Sequence, residues 1–276
     1  MKIGTLVRLS QASEANEKFA HLAELGFNAC QLVFKPAVFL EEDAKIIKDA
    51  AEANGIEISA QFCGYRDGGG TWNTYDAYLT NGVNVEAYRM ERIAYLREGF
   101  KFAKMLDLQD VVIHAGFVEN NPFSAGYVNM VGTITVLANF AAKLGLNILF
   151  ETGMECPMVL RRLIEDVGTG NLYINFDPAN IFMYGYGNAM DALEVFGQYV
   201  RNFHVKDGLL PTDIRLLGKE VPIGEGKVDF PYIFKKFKEL GYDRYAIIER
   251  EISGPQQEID ILKAKDYILK LMEQTS

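Results

Sequence analysis

Eight short apolar runs of strand character alternate with eight helical patterns along the 276 residues, with no linker or low-complexity tract between them. Few folds are open to such a chain. Strands are expected near Ile3–Leu9, Ala29–Phe34, Glu57–Gly64, Asp110–Gly116, Asn147–Thr152, Leu172–Asp177, Val200–Lys206 and Tyr245–Ile252. The spacing of apolar residues predicts helices over Glu14–Leu25, Leu40–Ala53, Glu86–Leu106, Asn129–Leu144, Met158–Val167, Ala189–Tyr199, Tyr232–Leu240 and Gln256–Glu273. In the first of these Phe19, Leu22 and Leu25 share a stripe and Gly26 stops the helix. The phrase "helix, glycine, strand" returns at Leu25-Gly26, Asn54-Gly55, Leu144-Gly145 and Leu240-Gly241. At each, a left-handed glycine would turn the helix end into the next strand. Repeated β–α alternation means a parallel sheet, and eight units point to closure: a single (β/α)8 TIM barrel, residues 1–276 as one domain. An open doubly wound sheet is the alternative, but no Gly-x-Gly-x-x-Gly follows the first strand.

Composition narrows the partners. A net charge of −9 opposes binding to a polyanion, which needs a basic face. The sequence offers no run of 18 or more apolar residues, so no membrane span is expected, and no cleavage site follows the N-terminal residues. Cys30, Cys63 and Cys156 are widely spaced and odd in number, which suits a reducing cytoplasm.

The chemistry lies where the strands end. In Asn202-Phe203-His204-Val205-Lys206-Asp207-Gly208 strict alternation puts Phe203 and Val205 on one face, His204 and Lys206 on the other. Three other runs also stop at a carboxylate: Glu151, Asp177 and Glu249. From Glu151 to Asp177 is 26 residues and from Asp177 to His204 is 27, about one βα unit each; the 45 from His204 to Glu249 include a long seventh loop. All four fall opposite Phe150, Phe176, Phe203 and Ile248, which are expected to pack outward under helices. Three carboxylates and an imidazole pointing into one barrel mouth need a cation. This donor set favours Mn²⁺, Mg²⁺ or Co²⁺, with Zn²⁺ behind them. Two βα loops, Tyr65–Val83 and Gly208–Phe230, are long enough for lids or substrate walls. The first holds Gly68-Gly69-Gly70, Trp72, Tyr75 and Tyr78; the second, Gly224-Glu225-Gly226.

The pieces Val111-Val112-Ile113-His114-Ala115-Gly116, Phe150-Glu151, Asp177-Pro178-Ala179-Asn180, His204-Val205-Lys206-Asp207, Gly224-Glu225-Gly226 and Ile248-Glu249 occur in the order found in xylose isomerase-like sugar isomerases and epimerases, which the chain resembles. The resemblance implies a metal held by Glu151, Asp177, His204 and Glu249, a keto- or aldo-sugar substrate, and homo-oligomers as a common state. Type IV apurinic endonucleases share the fold but hold three zincs. With His21, His114 and His204 as the whole histidine complement, and Asn180 where the family often has histidine, DNA repair is not expected. His21, within the first helix, is read as structural.

Metal-assisted proton transfer through an enediolate is the expected reaction, with Glu151 and Glu249, taken to arrive from nearly adjacent strands, bracketing the reacting carbon. A lyase or dehydratase of a keto-sugar or keto-glycoside is the alternative, and a non-catalytic sugar-binding barrel the third reading. His114 is expected at substrate or at a metal ligand, with a core role nearly equal. Asn180 is placed at a substrate hydroxyl. Lys206 is placed at an oxyanion or substrate carboxylate, or else paired with Asp207 or Glu225. Glu155 is set either at substrate oxygens or in solvent as a loop acid. Phe34, Tyr65 and Trp72 are assigned to an apolar wall, though each could be simple core. Arg250 is expected to face outward and pair on the surface. No glycine-rich loop with a lysine offers itself to a phosphate, which leans towards an unphosphorylated sugar.

Overall fold

The computed structural model describes residues 1–66 and 69–275, so Gly68 of the glycine run lies outside the described residues. The strands are β1 (Lys2–Leu9), β2 (Ala29–Phe34), β3 (Glu57–Cys63), β4 (Asp110–Ile113), β5 (Asn147–Glu151), β6 (Leu172–Phe176), β7 (Val200–Val205), the two-residue β8 (Asp207–Gly208) and β9 (Glu220–Val221), and β10 (Tyr245–Ile248). Eight of them close a parallel barrel in the order β1-β10-β7-β6-β5-β4-β3-β2, while β8 and β9 form an antiparallel ladder inside the long seventh loop. The barrel is thus a (β/α)8 TIM barrel. Its helices are α1 (Ala15–Glu24), α2 (Glu41–Ala53), α3 (Ala77–Thr80), α4 (Arg89–Met105), α5 (Ala125–Lys143), α6 (Pro157–Val167), α7 (Pro178–Met183), α8 (Ala189–Phe196), α9 (Phe230–Leu240) and α10 (Pro255–Thr275).

The expected strands are all present, but several stop earlier than the apolar pattern does. β4 ends at Ile113 and β10 at Ile248, leaving His114 and Glu249 just past the ladder. The apolar run outlasts the pairing because side chains at the rim still pack after the strands have splayed. Two short helices, α3 and α7, and the β8–β9 ladder escape a periodicity reading because none is long enough to show a period. Only α7 carries a local signal: Asp177 caps it, accepting from the Asn180 N–H at 2.9 Å, and Pro178 opens its first turn. The four glycines that close helices do adopt left-handed backbone, with φ between 65° and 74°. At Gly55, Gly145 and Gly241 an added Cβ would meet nothing, so backbone conformation alone asks for glycine there. Helix α5 is long and apolar enough to cross a membrane by length and composition; in the fold its Met130, Ile134, Leu137 and Ala141 are buried in the core.

Two layers of apolar packing hold the site in place. Phe150, Phe176, Phe203 and Ile248 lie outside the sheet, under the helices, and are fully buried. Phe203 meets Phe237 of α9 edge-on at 5.1 Å and Phe176 at 5.9 Å. Inside the barrel, Ala60, Val112 and Leu149 pack with Phe62 and Tyr173. Phe203→Ala should lower unfolding stability by about 3–5 kcal/mol, because it leaves a cavity directly behind the strand that carries His204. Denaturant midpoints of the two proteins measure this, and a loss under about 1 kcal/mol would show that α9 collapses freely onto β7.

Candidate metal centre

Glu151 closes β5, Asp177 follows β6, His204 lies on β7 and Glu249 follows β10, so four consecutive strands of the barrel each deliver one side chain. One donor atom from each lies within 4.8 Å of all the others, and all four residues are buried. The register explains the convergence. Glu151 pairs with Asn175 rather than Asp177, and Ile247 with His204, so the stagger of the closed barrel brings residues of unequal rank to one level. Glu151 and Glu249 are therefore not near neighbours in the sheet, as the expected nearly adjacent strands would make them: β6 and β7 separate their strands, and the two carboxylates reach the cluster from the ends of a four-strand arc.

The donor set fits a cation. His204 Nδ1 lies 3.0 Å from Glu249 Oε2, 3.4 Å from Glu151 Oε1 and 3.8 Å from Asp177 Oδ2. Even so, His204 Nδ1, Glu151 Oε2 and Asp177 Oδ2 are all buried without a well-aligned hydrogen bond among the described residues. Three such atoms in a dry site are costly unless a positive charge joins them. Neighbouring side chains fix His204 and Asp177. Gln31 Oε1 lies 2.9 Å from His204 Nε2, which sets Nε2 as the protonated nitrogen and turns Nδ1 to the cluster. Gln31 is oriented in turn by donating to Asn175 Oδ1 at 3.1 Å, an oxygen shared with Asn202 Nδ2 at 2.7 Å. Thr152 Oγ1 donates to the Asp177 carbonyl and accepts from its N–H. Gln31→Leu should cost about 10- to 100-fold in divalent-metal affinity with the fold unchanged, as second-layer partners of ligating histidines usually do. Calorimetric titration with Mn²⁺ reads it, and undiminished affinity would remove Gln31 from this role.

Electrostatics divide the two glutamates. Burial raises the Glu151 carboxyl to about 7. Burial would raise Glu249 too, but Lys206 and His204 outweigh it and hold that carboxyl well below its usual range, with a further contribution from Arg8. Burial opposes charge on His204, yet the carboxylates of Glu249, Asp177 and Glu151 raise it well above the ordinary imidazole value. Burial holds His114 neutral, down at about 3; its Nε2 lies 3.7 Å from Glu151 Oε2 and its ring packs on Phe62 and Trp72.

A cleft of about 700 Å³ opens over the cluster at the C-terminal ends of the strands. A larger cavity of about 910 Å³ lies at the other end, where Asp110 is pinned by Arg201 and Arg244. That end holds none of the cluster, and reactive sites of such barrels form on the C-terminal face. His114, Asn180, Tyr65 and Trp72 line the upper cleft. Asn180 donates to Glu151 Oε1 at 3.3 Å and accepts from Lys206 at 3.2 Å.

Four further expectations need correction. Phe34 does not wall the cleft: it shares the outer face of β2 with Cys30 and Leu32 and packs on Phe102 at 5.2 Å, while Val33 and Lys35 line the site. Lys206 pairs with neither Asp207 nor Glu225; its buried ammonium lies 2.7 Å from Glu251, 3.4 Å from Glu249 and 3.5 Å from Asp177. The Asp207 carboxylate is instead filled by the backbone N–H groups of Gly208, Gly224, Gly226 and Val228, and a Cβ at residue 226 would collide with it. Glu155 is no solvated loop acid: it is buried, and that burial raises its carboxyl to about 8. Arg250 turns inward, to Glu220 at 3.0 Å and Asp260 at 2.8 Å, because the β8–β9 ladder brings Glu220 against the barrel rim. His21 sits on the outside against Glu258.

Sequence reasoning missed Gln31, Thr152, Arg8, Lys35, Tyr184 and Glu251. Only Gln31 carried a signal, as an amide in the middle of the otherwise apolar strand Ala-Cys-Gln-Leu-Val-Phe.

The model of the xylose isomerase-like TIM barrel family matches residues 19–270. A solved xylose isomerase domain protein from Planctomyces limnophilus is 30% identical and superposes with a TM-score of 0.92, covering 99% of this chain and 98% of its own. A solved D-tagatose 3-epimerase-like protein is 22% identical with a TM-score of 0.74 over 100% of this chain and 98% of its own. Among curated proteins, inosose dehydratase of Clostridium botulinum (strain Alaska E43 / Type E3) is 21% identical over 95% of this chain and 89% of its own length.

Proposed function

Starting from the chain's membership of the xylose isomerase-like TIM barrel family, we propose that it is a divalent-metal-dependent isomerase or epimerase of a keto-sugar or keto-inositol, with residues 1–276 acting as one domain. What supports this most is the convergence of Glu151, Asp177, His204 and Glu249 within 4.8 Å at the floor of the cleft. In this reading the four hold one Mn²⁺, Mg²⁺ or Co²⁺ ion, with Zn²⁺ behind them. Such an ion, when bound, supplies Lewis-acid polarisation of a carbonyl and its neighbouring hydroxyl.

The remaining work falls to the chain's own groups. In this reading Glu151 and Glu249, whose strands are separated by β6 and β7, flank the reacting carbon, which presents one face to each carboxylate. One takes the proton from the C–H next to the carbonyl and the other returns one to the opposite face, which inverts that carbon. Delivery to the adjacent carbon of the enediolate isomerises instead. Asn180, which lines the cleft and accepts from Lys206, offers its amide N–H to oxygen charge that builds as the proton leaves, and the buried Lys206 charge behind it favours that anion. Trp72, Tyr65 and neutral His114 cover the carbons and exclude water from the basic carboxylate.

The inosose dehydratase relatives favour a second reading, in which the same proton abstraction is followed by loss of water. One experiment tests both: in D₂O with Mn²⁺, ketohexoses, ketopentoses and inosose are screened by mass and NMR. Deuterium at the carbon next to the carbonyl, dependent on the metal, with mass otherwise conserved, is the expected result. Loss of 18 mass units would move the assignment to the dehydratase. No exchange into any of them would remove the proton-transfer reading.

A further inference from the structure

Arg8 is the last inward-facing residue of β1: Ile3, Val7 and Leu9 are buried on the outer face, and Arg8 alternates away from them. It stands in register with Val33 of β2, and Arg8, Val33 and Lys35 line one side of the cleft. Among the described residues the Arg8 guanidinium makes no hydrogen bond or ion pair; only its carbonyl is engaged, by the Lys18 ammonium. Arg250, on the same cleft, is committed to Glu220 and Asp260, and Lys206 beneath it to Glu251, Glu249 and Asp177. Lys35 lies across Gly64, where an added Cβ would run into its Cε and Nζ, so the bare backbone after β3 makes room for an ammonium at the wall. With a divalent ion on the cluster, that ion and Lys206 set three positive charges against Glu151, Asp177, Glu249 and Glu251, and the Arg8 charge, which also favours ionised Glu249, has no hydrogen-bond partner of its own among the described residues. A guanidinium would then still face the space that substrate fills.

We infer that the substrate carries an anionic group, a carboxylate or a phosphate ester, which Arg8 receives at the cleft wall. A neutral sugar seated over Arg8 would strip water from a charge and give nothing in return. An anion replaces that water with two parallel N–H···O bonds, the geometry the guanidinium fork is built for. This inference deepens the sugar-chemistry reading above and rests on it for the position of the carbonyl.

The test compares binding of D-fructose, 2-keto-D-gluconate and D-fructose 6-phosphate to the protein in Mn²⁺, by calorimetry at low salt. At least one anionic sugar should bind about tenfold or more tighter than D-fructose, with the two anionic arms telling carboxylate from phosphate. In Arg8→Gln that ratio should collapse towards one, Arg8→Lys should keep part of it, and added salt should shrink it in the wild type. A wild-type ratio near one, no binding of either anionic sugar at millimolar concentration, or a ratio unchanged in Arg8→Gln would each overturn the inference. Because binding is read without turnover, failure of deuterium exchange would sink the isomerase reading and leave this affinity ratio to be judged by itself.

Discussion

Glu151→Gln and Glu249→Gln should each lower kcat by about 10³-fold while leaving the thermal unfolding curve nearly in place. Glutamine keeps the size and one acceptor oxygen of the side chain and loses the ability to carry a proton away, so it isolates acid–base chemistry from packing. Fold stability should tolerate both changes for different reasons. Glu151 is buried and its carboxyl is raised to about 7, so its charge is already costly there. Glu249 is held ionised by Lys206 and His204, but removing it leaves Lys206 with Asp177 and Glu251 as partners. If the two glutamates flank the reacting carbon, kcat and kcat/KM should fall together at Mn²⁺ concentrations that saturate the variant, where the weakened ligand no longer limits the rate. Solvent deuterium exchange should vanish in at least the variant that lacks the abstracting base. Wild-type turnover in either variant would end the two-carboxylate mechanism.

His204→Ala should abolish measurable binding of Mn²⁺ and, with it, the rise in melting temperature that the metal confers on the wild type. The cluster has one imidazole, wholly buried and aimed by Gln31; alanine removes that ligand and strands the Gln31 acceptor, an added cost of about 1–3 kcal/mol. The same residue sets a pH dependence. In the metal-free protein burial works against the imidazolium, but Glu249, Asp177 and Glu151 hold His204 protonated well above the ordinary imidazole value. A metal must displace that proton, and a second one from Glu151 where burial keeps it protonated up to about 7. The raised His204 stabilises the metal-free fold fully below the unfolded imidazole value, and that contribution is lost only as pH rises through the folded one. Metal affinity, and the melting-temperature gain on adding Mn²⁺, should therefore grow between about pH 6 and about pH 8. A gain that shrinks over that window, or persists in His204→Ala, would contradict this assignment.

The barrel was legible because every local preference repeats the same instruction: an apolar strand, a striped helix, and a left-handed glycine at Gly26, Gly55, Gly145 and Gly241. The four cluster residues were legible for a related reason. Each follows a bulky outward residue by one position, so alternation alone turns it inward, as Phe150 does for Glu151 and Phe203 for His204. Phe34 is the same rule misapplied, since its parity on β2 matches Cys30 and Leu32, and Val33 faces the cleft. What could not be read were pairings set by the stagger of the closed sheet and by loops folding back. Lys206 with Glu251 and Arg250 with Glu220 join segments 45 and 30 residues apart, and no local period encodes them. The Asp207 nest is another such case, because its four N–H partners belong to a loop whose path is known only once it has closed.

Anomalous diffraction at the manganese edge, from crystals grown with Mn²⁺, would test most directly whether these four side chains share one ion. A single strong peak is expected within bonding distance of Glu151, Asp177, His204 and Glu249, and it should be lost in His204→Ala crystals. A peak elsewhere, or none in the barrel mouth at saturating Mn²⁺, would contradict it.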